Sequence, residues 1–510
     1  MTKKQFYLVG AVVLILAVVA IINQVSSPHI LQVKQSETID LKNSDSYTLT
    51  AHYVTKEIAG RKQKMLAYNG MIPGPTIRIA QGAEVTINFK NDTDLPALLH
   101  SHGVRMDSAF DGAQAVQKDI PPGGTFAYKL KFPDAGVFWY HPHVNEVYEQ
   151  PLGLYGAFIV TSGDPNYYPP VNQEVLLFLS DLPIENGVIT LMKNTNDHTL
   201  MGHYGNVMLV NGEENYSLSI KKGEVVRLDV INAANARPFN FAVAGAKLKI
   251  VGSDNGAYEK SFYADSVTLG PSERAIVDVL FEKAGAHELQ NKTPEKTYTL
   301  GRVVVSSNPA TPSYAAQFKV LQENKTAQAS IAPFRLYFDK APDKKITLTL
   351  DMQNGMMSSG TGGHMMSGGT MMGGMSSSPD GIEWEDDMPM MGGMTSAMVT
   401  WAIVDQDTGK KNMDINWTFA KEAPMKIRIY NDPNSMHPMQ HPIHFHGSRF
   451  LIVSRNGVPQ TNVVWKDTAL VRAGETVDIV LDTSNLGTWM AHCHTAEHLQ
   501  AGMMFTYEVY

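Results

Sequence analysis

We predict an all-β protein built from three similar domains, and three features of the sequence support this prediction. The chain has 510 residues, which is longer than one hydrophobic core usually extends, so several domains are expected. Apolar and polar residues alternate in many short segments separated by turn residues, a pattern typical of strands. A unit of strand, Asn-containing turn and second strand recurs three times, starting at Gly82, Gly223 and Ala423.

The clearest strand predictions are six segments: VTINFK, FAYKLKF, VVRLDVIN, AIVDVLF, KIRIYND and TVDIVLD. The first and third copies of the unit end in histidine-rich strands, whereas the middle copy has Phe239, Phe241 and Val243 in that neighbourhood. We therefore expect the middle domain to be structural. The predicted domains cover residues 45–165, 172–308 and 335–510, and a segment rich in Ser, Thr, Ala, Pro and Gln at 306–333 is predicted to be a linker.

The N-terminal 30 residues predict export. Lys3 and Lys4 precede an apolar run from Tyr7 to Ile22, which is long for a signal core and short for a spanning helix. We favour an uncleaved membrane anchor with the bulk of the chain outside the cytoplasm, periplasmic or at the cell surface; a cleaved signal peptide is the alternative. The net charge of −8 and the lack of a long basic run beyond the N-terminus argue against nucleic-acid binding.

The only cysteine, Cys493, lies between two histidines. In an oxidising compartment paired cysteines normally form disulfides, so a single one cannot staple the fold. It is either incidental or chemically active.

Ten of the 17 histidines fall in four short clusters. Alternate residues of a strand face the same side, so each His-X-His pair presents two imidazoles together. Four such pairs in the two outer domains could surround a multi-metal cluster. Their members are His100, His102, His141, His143, His444, His446, His492 and His494.

Strand geometry separates Cys493 from this cluster. If His492 and His494 face one side of their strand, Cys493 faces the other and serves a second metal site. His441 and His498 are left over from the pairs and can join it, with Met503 at the open position. Two histidines, a thiolate and a weak axial thioether form an electron-transfer copper site.

These motifs resemble the three-domain multicopper oxidases, which include laccases, ascorbate oxidase and bacterial cuprous oxidases. The resemblance covers nearly the whole chain after residue 30 and implies three cupredoxin-like Greek-key β-sandwich domains. It implies four copper ions. The type 1 ion would be held by His441, Cys493, His498 and Met503, the type 2 ion by His100 and His444, and the type 3 pair by His102, His141, His143, His446, His492 and His494. Four one-electron oxidations would then reduce one O2 to two waters.

Two carboxylates are candidate catalytic groups for supplying protons. Asp111 matches the family position of a proton donor, although an Asp-Gly turn explains it equally well. Many bacterial members have an acid directly after the last histidine ligand, where this chain has Leu499; Glu497 is the nearby alternative.

A methionine-rich insertion at residues 352–398 holds 13 of the chain's 27 methionines among Gly and Ser. Thioethers select Cu(I), whereas nearby carboxylates suit the oxidised ion. The candidate substrate-copper ligands in the insertion are Glu385, Asp386 and Asp387, with Glu383 beside them. Met436, His437 and Met439 are further candidates because they directly precede His441, with local packing as the alternative. An insertion without a role is the alternative.

We expect a monomeric enzyme that oxidises Cu(I) with O2 and so lowers copper toxicity. This resembles the copper-tolerance oxidases. A general laccase that oxidises phenols and aromatic amines is the main alternative. A non-enzymatic copper-binding or scaffold protein is a third, disfavoured because every ligand position is filled.

Overall fold

The computed structural model describes residues 30–193, 198–352, 379–386 and 395–510. Strands dominate, and all six segments predicted above as strands are strands, which confirms the all-β prediction. The predicted signal or anchor lies outside the described residues, as does most of the methionine-rich insertion. Within the described ranges, no helix has the length and apolar character needed to span a membrane.

The first domain consists of two five-stranded sheets. One sheet has the order β1-β3-β6-β8 with β4 beside β3: Leu31–Gln32, Ser46–Ile58, Glu84–Asn91, Thr125–Lys131 and, for β4, Arg61–Tyr68. The other has the order β2-β5-β10-β9-β7: Thr38–Leu41, Thr76–Ala80, Gly156–Thr161, Gly136–Pro142 and Leu99–His102. The first two histidine pairs therefore lie on or directly after neighbouring strands, β7 and β9.

The middle domain repeats the two-sheet arrangement. Its larger sheet has the order β14-β11-β16-β21-β18-β19: Val207–Val210, Gln173–Leu182, Val225–Asn232, Arg274–Leu280, Leu248–Ser253 and Gly256–Ala264. Its smaller sheet has the order β15-β23-β22-β17-β20: Tyr216–Lys222, Thr297–Pro309, Gly285–Lys292, Phe239–Val243 and Val267–Leu269. A short hairpin, β12 and β13, adds Ile184–Glu185 and Val188–Ile189. Phe239, Phe241 and Val243 lie in the apolar core of this domain.

The third domain has sheets of seven and five strands. The larger has the order β25-β24-β27-β33-β29-β30 with β31 beside β29: Val399–Asp405, Lys344–Met352, Met425–Asn431, Thr476–Leu481, Phe450–Arg455, Val458–Pro459 and, for β31, Trp465–Lys466. The smaller has the order β26-β35-β34-β28-β32: Asn416–Phe419, Met504–Val509, Gly487–Cys493, His441–Phe445 and Thr468–Val471. The other two histidine pairs lie on or directly after β28 and β34, and His444 is the register partner of His492.

The segment predicted as a linker is more ordered than its composition suggests. It contains α2 (Ala315–Phe318) and α3 (Lys325–Ile331), followed by a 3-10 helix (Ala332–Tyr337). Ile331 is buried in an apolar cluster with Trp465 of the third domain, so the segment packs against the domain that follows it. The other helices in the described ranges are α1 (Glu146–Glu149), α4 (Ala496–Gln500) and the 3-10 turns Ser108–Phe110 and Asn412–Asp414.

Candidate metal centre

Eight histidines from the first and third domains converge in one buried cluster, which we call the histidine cluster. Its members are His100, His102, His141, His143, His444, His446, His492 and His494, and all are buried. Ring nitrogens of several triplets lie within 4.8 Å of one another, a spacing that a shared metal ion can bridge. Within the third domain, His446 Nε2 and His492 Nε2 are 2.9 Å apart.

Backbone carbonyls determine which nitrogen of each ring faces the cluster. The Nδ1 atoms of His100, His141 and His444 lie 2.7, 2.8 and 2.8 Å from carbonyl oxygens. A carbonyl only accepts, so each Nδ1 carries the proton and each Nε2 keeps a lone pair. Those three Nε2 atoms are buried and have no hydrogen-bond partner among the described residues.

In His446 and His492, the Nε2 lone pairs face each other. His492 Nδ1 donates to the Cys493 carbonyl at 2.8 Å and His446 Nδ1 donates to Asp111 Oδ2 at 2.8 Å. Both Nε2 atoms are then acceptors at 2.9 Å, an arrangement that a metal ion between them would stabilise. Buried imidazole nitrogens suit copper, so the donor set fits the group that the motifs imply.

Burial also keeps these histidines neutral. It lowers the pKa of His100 to about 3 and that of His492 to about 4, and it holds the pKa of the other six well below the ordinary value. A neutral ring binds a metal ion without first losing a proton.

The second group contains the cysteine. Cys493 Sγ lies 3.6 Å from His441 Nδ1 and 3.5 Å from His498 Nδ1, and the two nitrogens are 3.2 Å apart. We call these three residues the thiolate site. The side chain of Met503 is fully buried in the same apolar core as Cys493. The separation of Cys493 from its flanking histidines follows the pleat of β34, as the sequence predicted.

Neighbouring groups orient the two histidines of the thiolate site. His498 Nε2 lies 3.3 Å from the carbonyl of Leu200, which leaves the Nδ1 lone pair facing Cys493. The ring of Trp401 packs against His498 and His441, with centroids 4.4 and 4.8 Å away. Burial raises the pKa of the Cys493 thiol to about 12, so a metal ion must displace its proton.

The structure brings Asp111 to the histidine cluster. Its Oδ2 accepts from His446, its carbonyl accepts from His100, and Oδ1 has no hydrogen-bond partner in the described part of the chain. Burial raises the pKa of Asp111 to about 8. The Asp-Gly turn is present as well, since Gly112 has φ of +73°.

Glu497 contacts residues of the middle domain. Its Oε1 accepts from the backbone and the ring of His203 at 3.0 and 2.7 Å, and Asn235 lies 3.5 Å away, so Glu497 joins the third domain to the second.

Glu146 is a carboxylate next to the histidine cluster that the sequence analysis missed. Its Oε1 is 3.1 Å from His143 Nδ1, and burial raises the pKa of Glu146 to about 8. The signal was an acid three residues after the second histidine pair.

Asp467 and Arg274 were also missed. Asp467 Oδ1 is 2.9 Å from His102 Nε2, and both carboxylate oxygens bind the guanidinium of Arg274 from the middle domain. The charged pair Lys466-Asp467 inside an apolar strand region was the available signal, because buried charges need partners.

The candidate substrate-copper ligands among the described residues have different surroundings. His437 is buried with its Nε2 3.5 Å from Glu383 Oε2, and Met436 is 42% exposed. Met439 lies inside the apolar core of the third domain. Glu385 accepts from Tyr298 at 2.8 Å and lies 3.5 Å from Arg237. Asp386 ends the short described stretch, and Asp387 lies outside the described residues.

The chain is similar in sequence to known multicopper oxidases. Three family models, each described as multicopper oxidase, match residues 50–165, 173–303 and 385–510. The multicopper oxidase MmcO of Mycobacterium tuberculosis is 26% identical, with 89% of this chain and 85% of that protein aligned. The multicopper oxidase mco of Staphylococcus aureus is 25% identical, with 94% and 91% aligned.

Solved structures show the same fold. A multicopper oxidase of Campylobacter jejuni, titled a metallo-oxidase, superposes with a TM-score of 0.68 at 24% identity, over 95% of this chain and 98% of that one. McoA of Aquifex aeolicus gives a TM-score of 0.70 at 21% identity, over 94% and 99%. With three matched domains, a buried histidine cluster and a thiolate site, this chain belongs to the multicopper oxidase family, copper-dependent oxidoreductases that oxidise reducing substrates with O2.

Proposed function

We propose that this enzyme oxidises Cu(I), with copper ions arranged as one type 1, one type 2 and a type 3 pair. The thiolate site with Met503 would hold the type 1 ion, His100 and His444 the type 2 ion, and the remaining six histidines of the cluster the type 3 pair. When bound, these ions would accept single electrons from substrate and deliver four of them to O2, which becomes two waters.

The chain itself provides the connection between the two sites. Cys493 is flanked in sequence by His492 and His494, so one peptide unit on each side joins the thiolate site to the histidine cluster. Both groups are buried, which excludes bulk water from the route. Asp111 would hold a proton at Oδ1, because Oδ2 already accepts from His446.

The observation that carries the choice of Cu(I) is the pairing of His437 and Glu383. His437 Nε2 and Glu383 Oε2 are 3.5 Å apart, and neither atom has a hydrogen-bond partner within the described ranges. An imidazole nitrogen and a carboxylate oxygen left unpaired in a buried position form a candidate metal-binding pair.

This pair lies beside the thiolate site. The ring of Trp401 is 6.2 Å from His437 and 4.8 Å from His441, measured between centroids, so one aromatic ring contacts both groups. Glu383 lies within the methionine-rich insertion, between Met375 and Met388 in sequence. A soft-ligand segment that delivers Cu(I) and an N/O pair that binds the oxidised ion would suit this reaction.

The test is oxygen uptake by the copper-loaded enzyme with Cu(I) or with a phenol. In His437→Ala and Glu383→Gln we expect kcat/KM for Cu(I) to fall at least tenfold while phenol turnover stays within twofold. His287→Ala is the matched control, because the ring nitrogens of His287 lie 3.2 and 2.9 Å from backbone carbonyl oxygens of the middle domain. An equal loss of activity with Cu(I) and with phenol would show that His437 and Glu383 only stabilise the thiolate site. No loss with either substrate would show that the pair does not take part in Cu(I) oxidation.

A second variant addresses the insertion. Replacing residues 355–394 by a short turn would also remove Glu383, so the cut is made as two separate deletions, 355–378 and 387–394, that keep 379–386. Loss of Cu(I) oxidation with retained phenol oxidation supports copper delivery by the methionines. If both activities survive, a general laccase becomes the better description.

We also propose that the enzyme acts outside the cytoplasm, tethered by its N-terminal segment. The Lys3-Lys4 flank and the apolar run up to Ile22 support this. Cell fractionation of the full chain and of a form starting at residue 30 tests it. Membrane recovery of the full chain alone is the expected result, and equal recovery of both forms in the soluble fraction contradicts it.

A further inference from the structure

We propose that Arg274 of the middle domain is a positioning residue for the histidine cluster, acting through Asp467. The inference rests on the proposed binding of copper by that cluster. It gives the middle domain, which contributes none of the eight histidines, a defined part in the metal centre.

Asp467 selects opposite nitrogens on two histidines from different domains. Its carboxylate Oδ1 accepts from Nε2 of His102 at 2.9 Å, and its backbone carbonyl accepts from Nδ1 of His444 at 2.8 Å. The lone pair facing the cluster is therefore Nδ1 in His102 and Nε2 in His444. Both of those atoms are buried without a hydrogen-bond partner among the residues described. The two rings are stacked, with centroids 3.8 Å apart.

Arg274 fixes the Asp467 carboxylate, which orients His102. Its Nη1 and Nη2 donate to Oδ1 and Oδ2 of Asp467, each at 2.6 Å, and both residues are fully buried. A bidentate guanidinium holds the plane of a carboxylate as well as its position, and a Lys cannot do this.

Arg274 also reaches the first domain. Its Nε donates at 2.9 Å to the carbonyl of Val137, on the strand β9 that ends just before His143. One side chain thus ties together the strand that carries His141 and the aspartate that orients His102 and His444. All three domains meet at this point.

The close approach has a backbone requirement. A Cβ on Gly103 would lie 2.1 Å from Asp467 Oδ2 and 3.0 Å from Arg274 Nη2, and Gly103 has φ of +80°. Only glycine directly after His102 leaves room for the Arg274–Asp467 pair.

A purely structural ion pair is the competing explanation, and the same domain offers a matched example. Arg227 binds Asp278 through Nε at 2.9 Å and Nη2 at 3.2 Å, and both residues are buried. They are register partners on β16 and β21, so this pair supports the sheet. Arg227→Lys therefore measures the cost of losing a buried guanidinium fork that touches none of the eight histidines.

The experiment compares Arg274→Lys with Arg227→Lys after copper loading. The readouts are copper per chain, the visible absorption of the thiolate site, and the electron paramagnetic resonance signal of the cluster copper. We expect Arg274→Lys to keep the thiolate absorption and to lose at least half of the cluster copper or to change the hyperfine splitting of its signal. Arg227→Lys should leave all three readouts unchanged.

Several outcomes separate the possibilities. Full cluster copper with an unchanged signal in Arg274→Lys overturns the proposal, as does an equal change in Arg227→Lys. If Arg274→Lys does not fold, Asp467→Asn is tested with the same readouts. This variant keeps Arg274 and the side-chain volume at position 467 but removes the negative charge that Arg274 binds. A wild type without cluster copper refutes the proposed copper assignment instead, whatever the variants do.

Discussion

At the scale of single residues, chemistry depends on which atom each side chain presents. Cys493 presents sulfur to two imidazole nitrogens, and the cluster histidines present lone pairs to one another. Backbone carbonyls set four of the eight choices in the cluster, since they accept from Nδ1 of His100, His141, His444 and His492.

Replacing Cys493 by Ser should remove the copper of the thiolate site. A serine oxygen is a hard, neutral donor and does not substitute for a soft thiolate. We expect one copper fewer per chain, loss of the visible absorption, and a fall in oxygen uptake of at least about 10²-fold. Metal analysis and oxygen-electrode measurements check this, and a variant with full copper and full activity would contradict the assignment.

Replacing Asp111 by Asn should separate proton supply from copper binding. The amide oxygen can still accept from His446, so copper content should stay within about a fifth of the wild type. The amide cannot hold and release a proton, so oxygen reduction should slow by about 10²-fold, as is usual when a general acid is lost. If activity falls only in proportion to lost copper, Asp111 acts as an orienting group and not as a proton donor.

At the scale of elements, the turns between strands determine whether the ligands meet. The turn at Gly112 lies against the first residue of β7, directly before His100. A Cβ at Gly112 would lie 1.9 Å from the carbonyl oxygen of Leu99. The backbone there also has a positive φ, so this turn is constrained twice.

Gly112→Ala should therefore cost at least about 2 kcal/mol of stability, from strain of the left-handed conformation plus the clash. It should also reduce copper in the histidine cluster, because His100 donates to Asp111 within the same turn. Gly82→Ala is the control: φ is +87° and no atom lies within 4 Å of the new Cβ, so strain acts alone. Thermal unfolding and copper analysis compare the two, and equal effects would show that the clash is relieved at no cost.

At the scale of the whole molecule, the histidine cluster exists only where the first and third domains are held together. Asp134 of the first domain accepts from Arg105 at 2.6 and 2.9 Å and from Arg449 of the third domain at 2.7 Å. Asp482 binds Arg449 at 3.1 Å and extends this bridge. These side chains are mostly buried, so the pairing is not weakened by solvent as a surface pair would be.

Asp134→Asn should destabilise the enzyme by roughly 3 kcal/mol at neutral pH, because two buried guanidiniums lose their shared carboxylate. Burial alone would raise the pKa of Asp134, but Arg449 and Arg105 outweigh it and lower the pKa below its ordinary value. A lowered pKa in the folded state means that the stabilisation is present above the unfolded pKa of about 3.9 and is lost as pH falls through the folded value.

The difference between Asp134→Asn and wild type should therefore be constant from pH 7 to about pH 5 and shrink below about pH 4. Urea unfolding at several pH values measures it. Asp265→Asn serves as the control, since its partner Lys247 is exposed and little change is expected. A difference between Asp134→Asn and wild type that persists unchanged at pH 3 would contradict this account.

Local sequence patterns were enough to predict the class of fold and the residues that could bind metal. Strand alternation and the spacing of His-X-His are local properties, and a pleated strand turns them directly into shared faces. The separation of Cys493 from its flanking histidines is local in the same way, because successive residues of β34 point to opposite sides.

The tertiary structure decided which residues support those ligands. Asp467 reaches His102 across 365 residues and Arg274 across 193, while His437 meets Glu383 inside the methionine-rich insertion. Met439, a candidate copper ligand by its position, lies in the core instead. Contacts between domains depend on how whole sheets pack, and no local pattern of residues encodes that packing.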